Sequence, residues 1–295
     1  MRLLYSLLLL TLSSSQSYAA QIALIIDDIG YRQSDETVLA LPSAVTLSVL
    51  PHTPLGKQLA KTAHEKGHEI MLHLPMQALN GKTLGLGGLT NTMTEAQIRH
   101  TVIDAINSVP FAKGANNHMG SLLTQLDDPM LWIMEILKQK QLYFVDSMTT
   151  RFTKAGDKAD QLGVPLLKRQ LFLDNDTSAN ALEKQFSSMI TQAHAEGNLV
   201  AIAHPYPETI HFLRANLQRL KIEGIDLVPA SSLLFINISP ADGANPTVTL
   251  RWTNLATELV THYDYSQYPT DYIDRAHSNR QQPLGPTHLS AYMLA

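Results

Sequence analysis

A parallel α/β architecture is predicted by the way apolar runs, polar residues and helix-like segments succeed one another. Residues 22–28 read Ile-Ala-Leu-Ile-Ile-Asp-Asp. The apolar run suits a strand buried on both faces, and the paired carboxylates at its end must face water or a metal. The same arrangement recurs. Residues 69–72 end at His73, residues 142–145 at Asp146 and residues 199–203 at His204, while the segment from Lys113 leads into Asn116, Asn117 and His118. Strand and helix patterns alternate with short connections, which favours parallel strands joined by right-handed crossovers. All these polar ends then converge on one side, where open and barrel sheets keep their active sites.

At 295 residues the chain suffices for one large α/β barrel or two smaller domains, and no break in the pattern divides it. A formal charge of −4 and the lack of any Lys/Arg run give no reason to expect nucleic acid as a partner. The informative imbalance is 12 His against no Cys. It excludes thiolate catalysis, thiolate metal sites and disulfides, so a transition-metal site must use imidazole and carboxylate.

Residues 1–20 have the form of a signal peptide: Arg2, an apolar stretch over 3–12, and Ser17-Tyr18-Ala19 before a cut after Ala19 or Ala20. Export to the periplasm of a Gram-negative cell is expected, with an uncleaved N-terminal anchor as the alternative. No other segment approaches the roughly 20 apolar residues of a transmembrane span, so no stable membrane insertion is expected after cleavage.

Within residues 21–239 the elements follow in order. After the first strand, residues 33–41 read as a short helix and 46–50 as a strand closed by Pro51. Thr53 is placed to cap a helix with Pro54 at its first position, running to about Lys66 and ending at Gly67. The third strand carries His73, and a long loop over 75–91 contains Gly81, Gly85, Gly87 and Gly88. Thr94 with Gln97 forms a capping box for a helix to Asn107, and Asp128 with Pro129 opens one ending near Lys140. A strand follows to Asp146, then a weaker candidate over 165–167. Asn180 with Glu183 opens a helix to Ala195 that stops at Gly197. The strand ending at His204, a helix from Pro207 to Leu220 and a last strand over 225–228 complete the pattern. Residues 240–295 read as a polar, partly disordered tail in which only 247–252 look strand-like.

Asp27 and Asp28 suggest a division of labour in which one holds a cation and the other acts as general base. The plain alternative is one buried ion pair and one turn cap at Gly30. His73 sits among apolar neighbours, and His118 lies in a polar, Gly-flanked turn. With an Asp, these two His make a facial set for a catalytic zinc with positions left for water and substrate. His204 is placed to act as general acid or to bind an oxyanion, with Asp146 orienting an imidazole or contacting substrate. Its alternative is a cap for the helix at Pro207. Asn116, Asn117 and Gln77, polar residues beside these strand ends, are assigned to substrate. His52, His64, His68, His100, His194 and His211 fall among polar residues and read as solvated surface. Residues 84–89 lack the context of a phosphate loop, and Ser121 lacks a nucleophile elbow. Tyr263, Tyr265, Tyr268 and Tyr272 either stack on sugars or belong to a Tyr-rich surface.

Ile-Ile-Asp-Asp-Ile-Gly, Glu-Ile-Met-Leu-His-Leu-Pro-Met and Asn-Asn-His-Met-Gly-Ser, in this order, resemble the divergent polysaccharide deacetylase family, a branch of the NodB-like carbohydrate esterases. The resemblance covers about residues 21–239. It implies a distorted (β/α) barrel of about seven parallel strands with a divalent metal, usually zinc, at the C-terminal mouth. It also implies that Asp27 is the base, Asp28 a metal ligand, His73 the first His of a His-x-x-x-His motif and His204 the acid. The second His of that motif falls at Gln77, a poor zinc ligand, which leaves His118 as the third ligand. Its segment replaces the Arg-Pro-Pro-Tyr-Gly type found in ordinary members. The expected activity is removal of an acyl group, N-acetyl above all, from an amino-sugar glycan of the cell wall or envelope. A catalytically silent glycan-binding or envelope-assembly protein is the second expectation. A glycoside hydrolase using Asp27 and Asp146, with no metal, is the third.

Overall fold

Ala23 and Ile25 face one side of the first strand and Ile22, Leu24 and Ile26 the other, and all are fully buried. A strand between a barrel interior and a helical layer needs that double burial. The computed structural model describes residues 19–234, with the backbone alone of Thr247–Arg251 and Val260–Asp264. The first strand is β1 (Ala20–Ile29), followed by a 3-10 turn at Gln33–Ala40. Then come β2 (Thr46–Val49), α1 (Gly56–Glu65), β3 (Ile70–Met76), α2 (Glu95–Ser108) and β4 (Ala112–Met119). Next are α3 (Asp127–Gln139), β5 (Tyr143–Asp146), α4 (Ala155–Leu162), β6 (Leu166–Lys168) and β7 (Leu171–Phe172). The chain continues through α5 (Ala179–Glu196), β8 (Asn198–Ala203), α6 (Pro207–Asn216), α7 (Gln218–Ile222) and β9 (Ile225–Leu227).

The paired strands are parallel, in the order β6-β5-β4-β3-β2-β1-β8-β7, with β9 on the start of β1. The two edges belong to one stretch of chain. Arg169 N donates to Asp146 O and Gln170 N to Val200 O, each at 3.0 Å, so the segment leaves β5 and joins β8 without a turn. With β6–β7 counted as one stave beside β1, β2, β3, β4, β5 and β8, the distorted barrel has seven.

Helix residues such as Leu59, Ile98, Ile133 and Phe186 cover the outside of the sheet, while Met71, Tyr143, Val145, Val200, Ile202 and Leu233 fill the interior. The N-terminal end is plugged by the 3-10 turn Ala230–Leu234. There Glu69 Oε1 accepts from Tyr143 Oη at 2.8 Å, Thr46 Oγ1 at 3.2 Å and Ser231 N at 3.1 Å. Ala230 N donates to Thr46 Oγ1 at 3.0 Å. This buried carboxylate is therefore satisfied, and the opposite end is left as the mouth.

The Thr94–Gln97 capping box forms as expected. Four local expectations are corrected. Thr53 does not cap α1: the helix starts at Gly56, and Thr53 Oγ1 donates to Leu50 O at 2.9 Å. Ser178, not Asn180, caps α5 by accepting from Ala181 N. His68 is 3 % exposed rather than solvated, with Nδ1 3.0 Å from Val45 O, and burial lowers its pKa. The helix expected to Leu220 breaks at Leu217, between α6 and α7.

The signal-peptide expectation for residues 1–20 lies almost wholly outside the described residues. In the C-terminal segment Thr247–Arg251 pairs antiparallel with Val260–Asp264, and the rest of 240–295 lies outside them. Among the described residues no helix is long and apolar enough to cross a membrane.

Candidate metal centre and catalytic site

Alternation along β1 sends Asp27 to the barrel interior, the side of Ala23 and Ile25, and would send Asp28 outward. The chain avoids this with a bulge. The β1–β2 register slips between Ile26 and Ile29, and Asp28 adopts φ +60°, a left-handed conformation that Asp tolerates better than most residues. Both carboxylates thus reach the mouth. Gly30, at φ +130°, completes the turn and donates its N–H to Asp35 Oδ2 at 2.9 Å.

The β3–β4 register sets His73 beside Asn116 and Pro75 beside His118. Asp28 Oδ1 lies 3.0 Å from His73 Nε2 and 2.8 Å from His118 Nδ1, and the two nitrogens are 3.1 Å apart. Burial pushes the Asp28 carboxyl up, but hydrogen bonds from His118 and His73 outweigh it and hold the group far below the usual carboxylate range. For His73, burial works against the charge, and Asp27 and Asp28 together raise the pKa.

This donor set fits a divalent cation. His73 Nδ1 is 2.7 Å from Asn116 Oδ1, which also accepts from Ser48 Oγ at 2.7 Å, so Nδ1 carries a proton and Nε2 is the ligating nitrogen. Two imidazole nitrogens then crowd one carboxylate oxygen at separations close to the roughly 3 Å edge of a zinc coordination shell with bonds of about 2.0–2.1 Å. One cation would satisfy all three atoms.

Asp27 is 2 % exposed, accepts from Asn116 Nδ2 at 2.8 Å and lies 3.7 Å from His73 Nδ1. Burial raises its pKa, against the pull of His73, His204 and Asn116. A carboxylate near the metal, out of water and more basic than usual, has the properties of a general base. His204 follows Ala203, which pairs with Ile26, so it stands alongside Asp27. Asp174 Oδ1 is 2.9 Å from His204 Nδ1, and Asp174 Oδ2 accepts from His204 N at 2.7 Å and Thr209 Oγ1 at 3.0 Å. Burial disfavours the imidazolium, but Asp174, with Asp27 and Asp28 beyond it, raises His204 to about 9. Beside it opens a cavity of about 620 Å³ lined by Asp174, Asn175, Asp176, Thr177, Tyr206 and Glu208.

Asp28, His73, His118, Asp27 and His204 therefore converge, with Asn116 bonded to both His73 and Asp27, and Asn117, Gln77 and Asp146 do not join them. Asn116 and Asn117 are 0 % and 1 % exposed and bonded inward. Asn117 Oδ1 accepts from Ser147 N at 2.9 Å and its Nδ2 donates to Met119 O at 2.6 Å, so they shape the site rather than meet a substrate. Gln77 Oε1 accepts from Asn91 N at 2.7 Å and holds the loop after β3. Asp146 orients no imidazole. It follows the inward-facing Val145, is fully buried and accepts from Met148 N at 2.9 Å, and burial raises its pKa. Asp174 does what was expected of Asp146, and an available signal pointed to it: Leu171-Phe172-Leu173 is another apolar run ending in an Asp. Arg169 was also missed. It donates from Nε to Ser147 O at 2.7 Å and from Nη2 to Met148 O at 3.0 Å, with its guanidinium carbon 3.8 Å from the Phe172 ring centroid.

Residues 24–234 match the family model described as divergent polysaccharide deacetylase. The chain is 40 % identical over 222 residues to the uncharacterized protein YibQ of Escherichia coli K12, covering 75 % of this chain and 69 % of that one. It is 36 % identical over 224 residues to an uncharacterized protein of Haemophilus influenzae, covering 75 % and 80 %. The crystal structure of the uncharacterized protein ATU2773 from Agrobacterium tumefaciens C58 has the same fold, with a TM-score of 0.71 at 19 % identity over 74 % of this chain and 91 % of that one.

Proposed function

The chain belongs to the divergent polysaccharide deacetylase family, and from that premise we propose that it is a metal-dependent hydrolase removing acyl groups, N-acetyl above all, from an amino-sugar glycan. Asp28, His73 and His118 would hold the cation, zinc being suited to one carboxylate and two imidazoles. When bound, such an ion polarises the amide carbonyl and makes water more acidic. Asp27 takes the proton of the attacking water as the new C–O bond forms. His204, kept protonated by Asp174, gives a proton to the departing nitrogen as the C–N bond breaks, so that acetate and a free amine leave. The cavity beside His204 is where the leaving sugar would lie. Residues 1–20 support action after export to the periplasm.

The pairing of His204 with Asp174 alongside Asp27 carries this reading, because a buried carboxylate 2.9 Å from Nδ1 orients the imidazole at the mouth and favours the protonated form that a general acid needs. The test is acetate release from N-acetylglucosamine oligomers. Release that stops with chelation, returns with zinc and is lost in His204→Ala supports the proposal. Metal-replete protein that releases no acyl group from N- or O-acylated glycans would favour the silent glycan-binding alternative, for which Gln77 in place of a ligand His is the supporting observation.

A further inference from the structure

A second cavity, of about 500 Å³, lies on the same face of the barrel and is lined by Gln125, Arg151, Phe152, Thr153 and Lys154. It is tied to the metal centre through the backbone. Met119, next to His118, accepts at its carbonyl from Thr149 Oγ1 at 3.0 Å. Arg151 is two residues further, at most about 7 Å of extended chain. Lys154 N donates to Thr124 O at 2.7 Å and Gln125 Nε2 to Ser121 O at 2.7 Å, so the loops after β4 and β5 form one wall running from His118 to this cavity.

The lining has a definite chemistry. Phe152 is 57 % exposed, and Arg151 lies with its guanidinium carbon 4.6 Å from the ring centroid. Among the described residues Arg151 has no carboxylate partner, whereas Lys154 Nζ is 3.7 Å from Asp157 Oδ2. The pocket therefore presents one guanidinium with no carboxylate partner among the described residues, a second cation partly offset, an aromatic face, a hydroxyl and an amide. An aromatic ring with a few convergent polar groups suits a sugar ring. A guanidinium fork pairs bidentately with the two oxygens of a carboxylate, and with Lys154 already offset by Asp157 about one positive charge is left to face it.

We propose that the Arg151–Phe152–Lys154 pocket is a subsite for an acidic sugar, so that the glycan acted on carries a carboxylate near the acylated amino sugar. The site rests on the deacylase reading only in calling its ligand a glycan.

Calorimetry with the full chain would compare a hexasaccharide of alternating glucuronate and N-acetylglucosamine with a neutral N-acetylglucosamine hexamer. The acidic hexamer should bind about tenfold tighter or better, with the difference shrinking as salt rises. Arg151→Ala should cost the acidic ligand about 10- to 100-fold and leave the neutral one unchanged, with Lys154→Ala giving a smaller loss of the same kind. Equal affinity for the two hexamers, or an acidic preference that survives the double alanine variant, overturns the subsite. Acetate release is followed in parallel to separate the two claims. A protein that deacetylates both hexamers without preferring the acidic one refutes the subsite alone, and one that binds the acidic hexamer through Arg151 but hydrolyses neither refutes the deacylase reading alone.

Discussion

Asn116 joins the two halves of the site: its Oδ1 is 2.7 Å from His73 Nδ1 and its Nδ2 donates to Asp27 at 2.8 Å. One buried amide thus fixes which nitrogen of His73 faces the metal position and also satisfies the carboxylate proposed as base. Ser48 Oγ, donating to the same Oδ1, sets the orientation of the amide. Asn116→Ala should therefore weaken divalent-metal affinity by about 10- to 100-fold, the usual effect of losing a hydrogen bond to a ligand His. Gln77→Ala, which touches only the loop, should leave affinity unchanged. Competition titration with a chromogenic chelator measures both, and equal affinities in wild type and Asn116→Ala would contradict the assignment.

Asp174 should set the alkaline limit of the proposed hydrolysis. With His204 raised to about 9, the acid stays protonated over the neutral range, and the rate should fall as pH passes that value. Asp174→Asn should move that limb down toward the ordinary imidazole value of about 6.5. Stability follows the same linkage. The folded pKa lies above the unfolded one, so the stabilising contribution is complete below about 6.5 and is lost as pH rises through about 9. Thermal unfolding of metal-free protein across that window should show a larger loss in wild type than in the variant, where His73, also raised by Asp27 and Asp28, still contributes. An alkaline limb at the same pH in both would show that His204 is not the acid.

The barrel should end, in stability terms, at the plug. Ala230 and Leu233 are buried in the interior and Ser231 N donates to Glu69, whereas Thr247–Arg251 pairs within a separate two-stranded sheet. Removing residues 240–295 should leave cooperative unfolding intact, while Leu233→Ala should cost about 2–5 kcal/mol. Denaturant titration decides. A large loss on removing the tail would mean that its strands belong to the core.

The parts of this molecule legible in the sequence are those where burial writes a pattern. Residues 22–26, 70–72, 142–145 and 199–203 are buried on both faces, so their apolar runs announce parallel strands, and the polar residue after each run marks the mouth. Less legible were elements whose burial is slight. α4 buries only Ala155 and Ala159, and β7 is too short to print a period. Asp174 was lost with β7. Asn116 could not be told from a substrate contact, because a polar residue at a strand end reads the same whether it faces solvent or a neighbouring imidazole. Nor does sequence spacing reveal that a bulge at Asp28 and the register of β4 bring His118 Nδ1 within 2.8 Å of Asp28 and 3.1 Å of His73 Nε2.

Asp27 separates an enzyme from a binding protein most directly. Metal content and acetate release from an N-acetylated oligosaccharide should be measured together on wild type and Asp27→Asn. The asparagine keeps the side-chain size but cannot take a proton, so release should fall by about 10²- to 10⁴-fold with stoichiometric metal retained. Undiminished release with metal bound, or loss of the metal itself, would contradict the division in which Asp28 holds the cation and Asp27 acts as base.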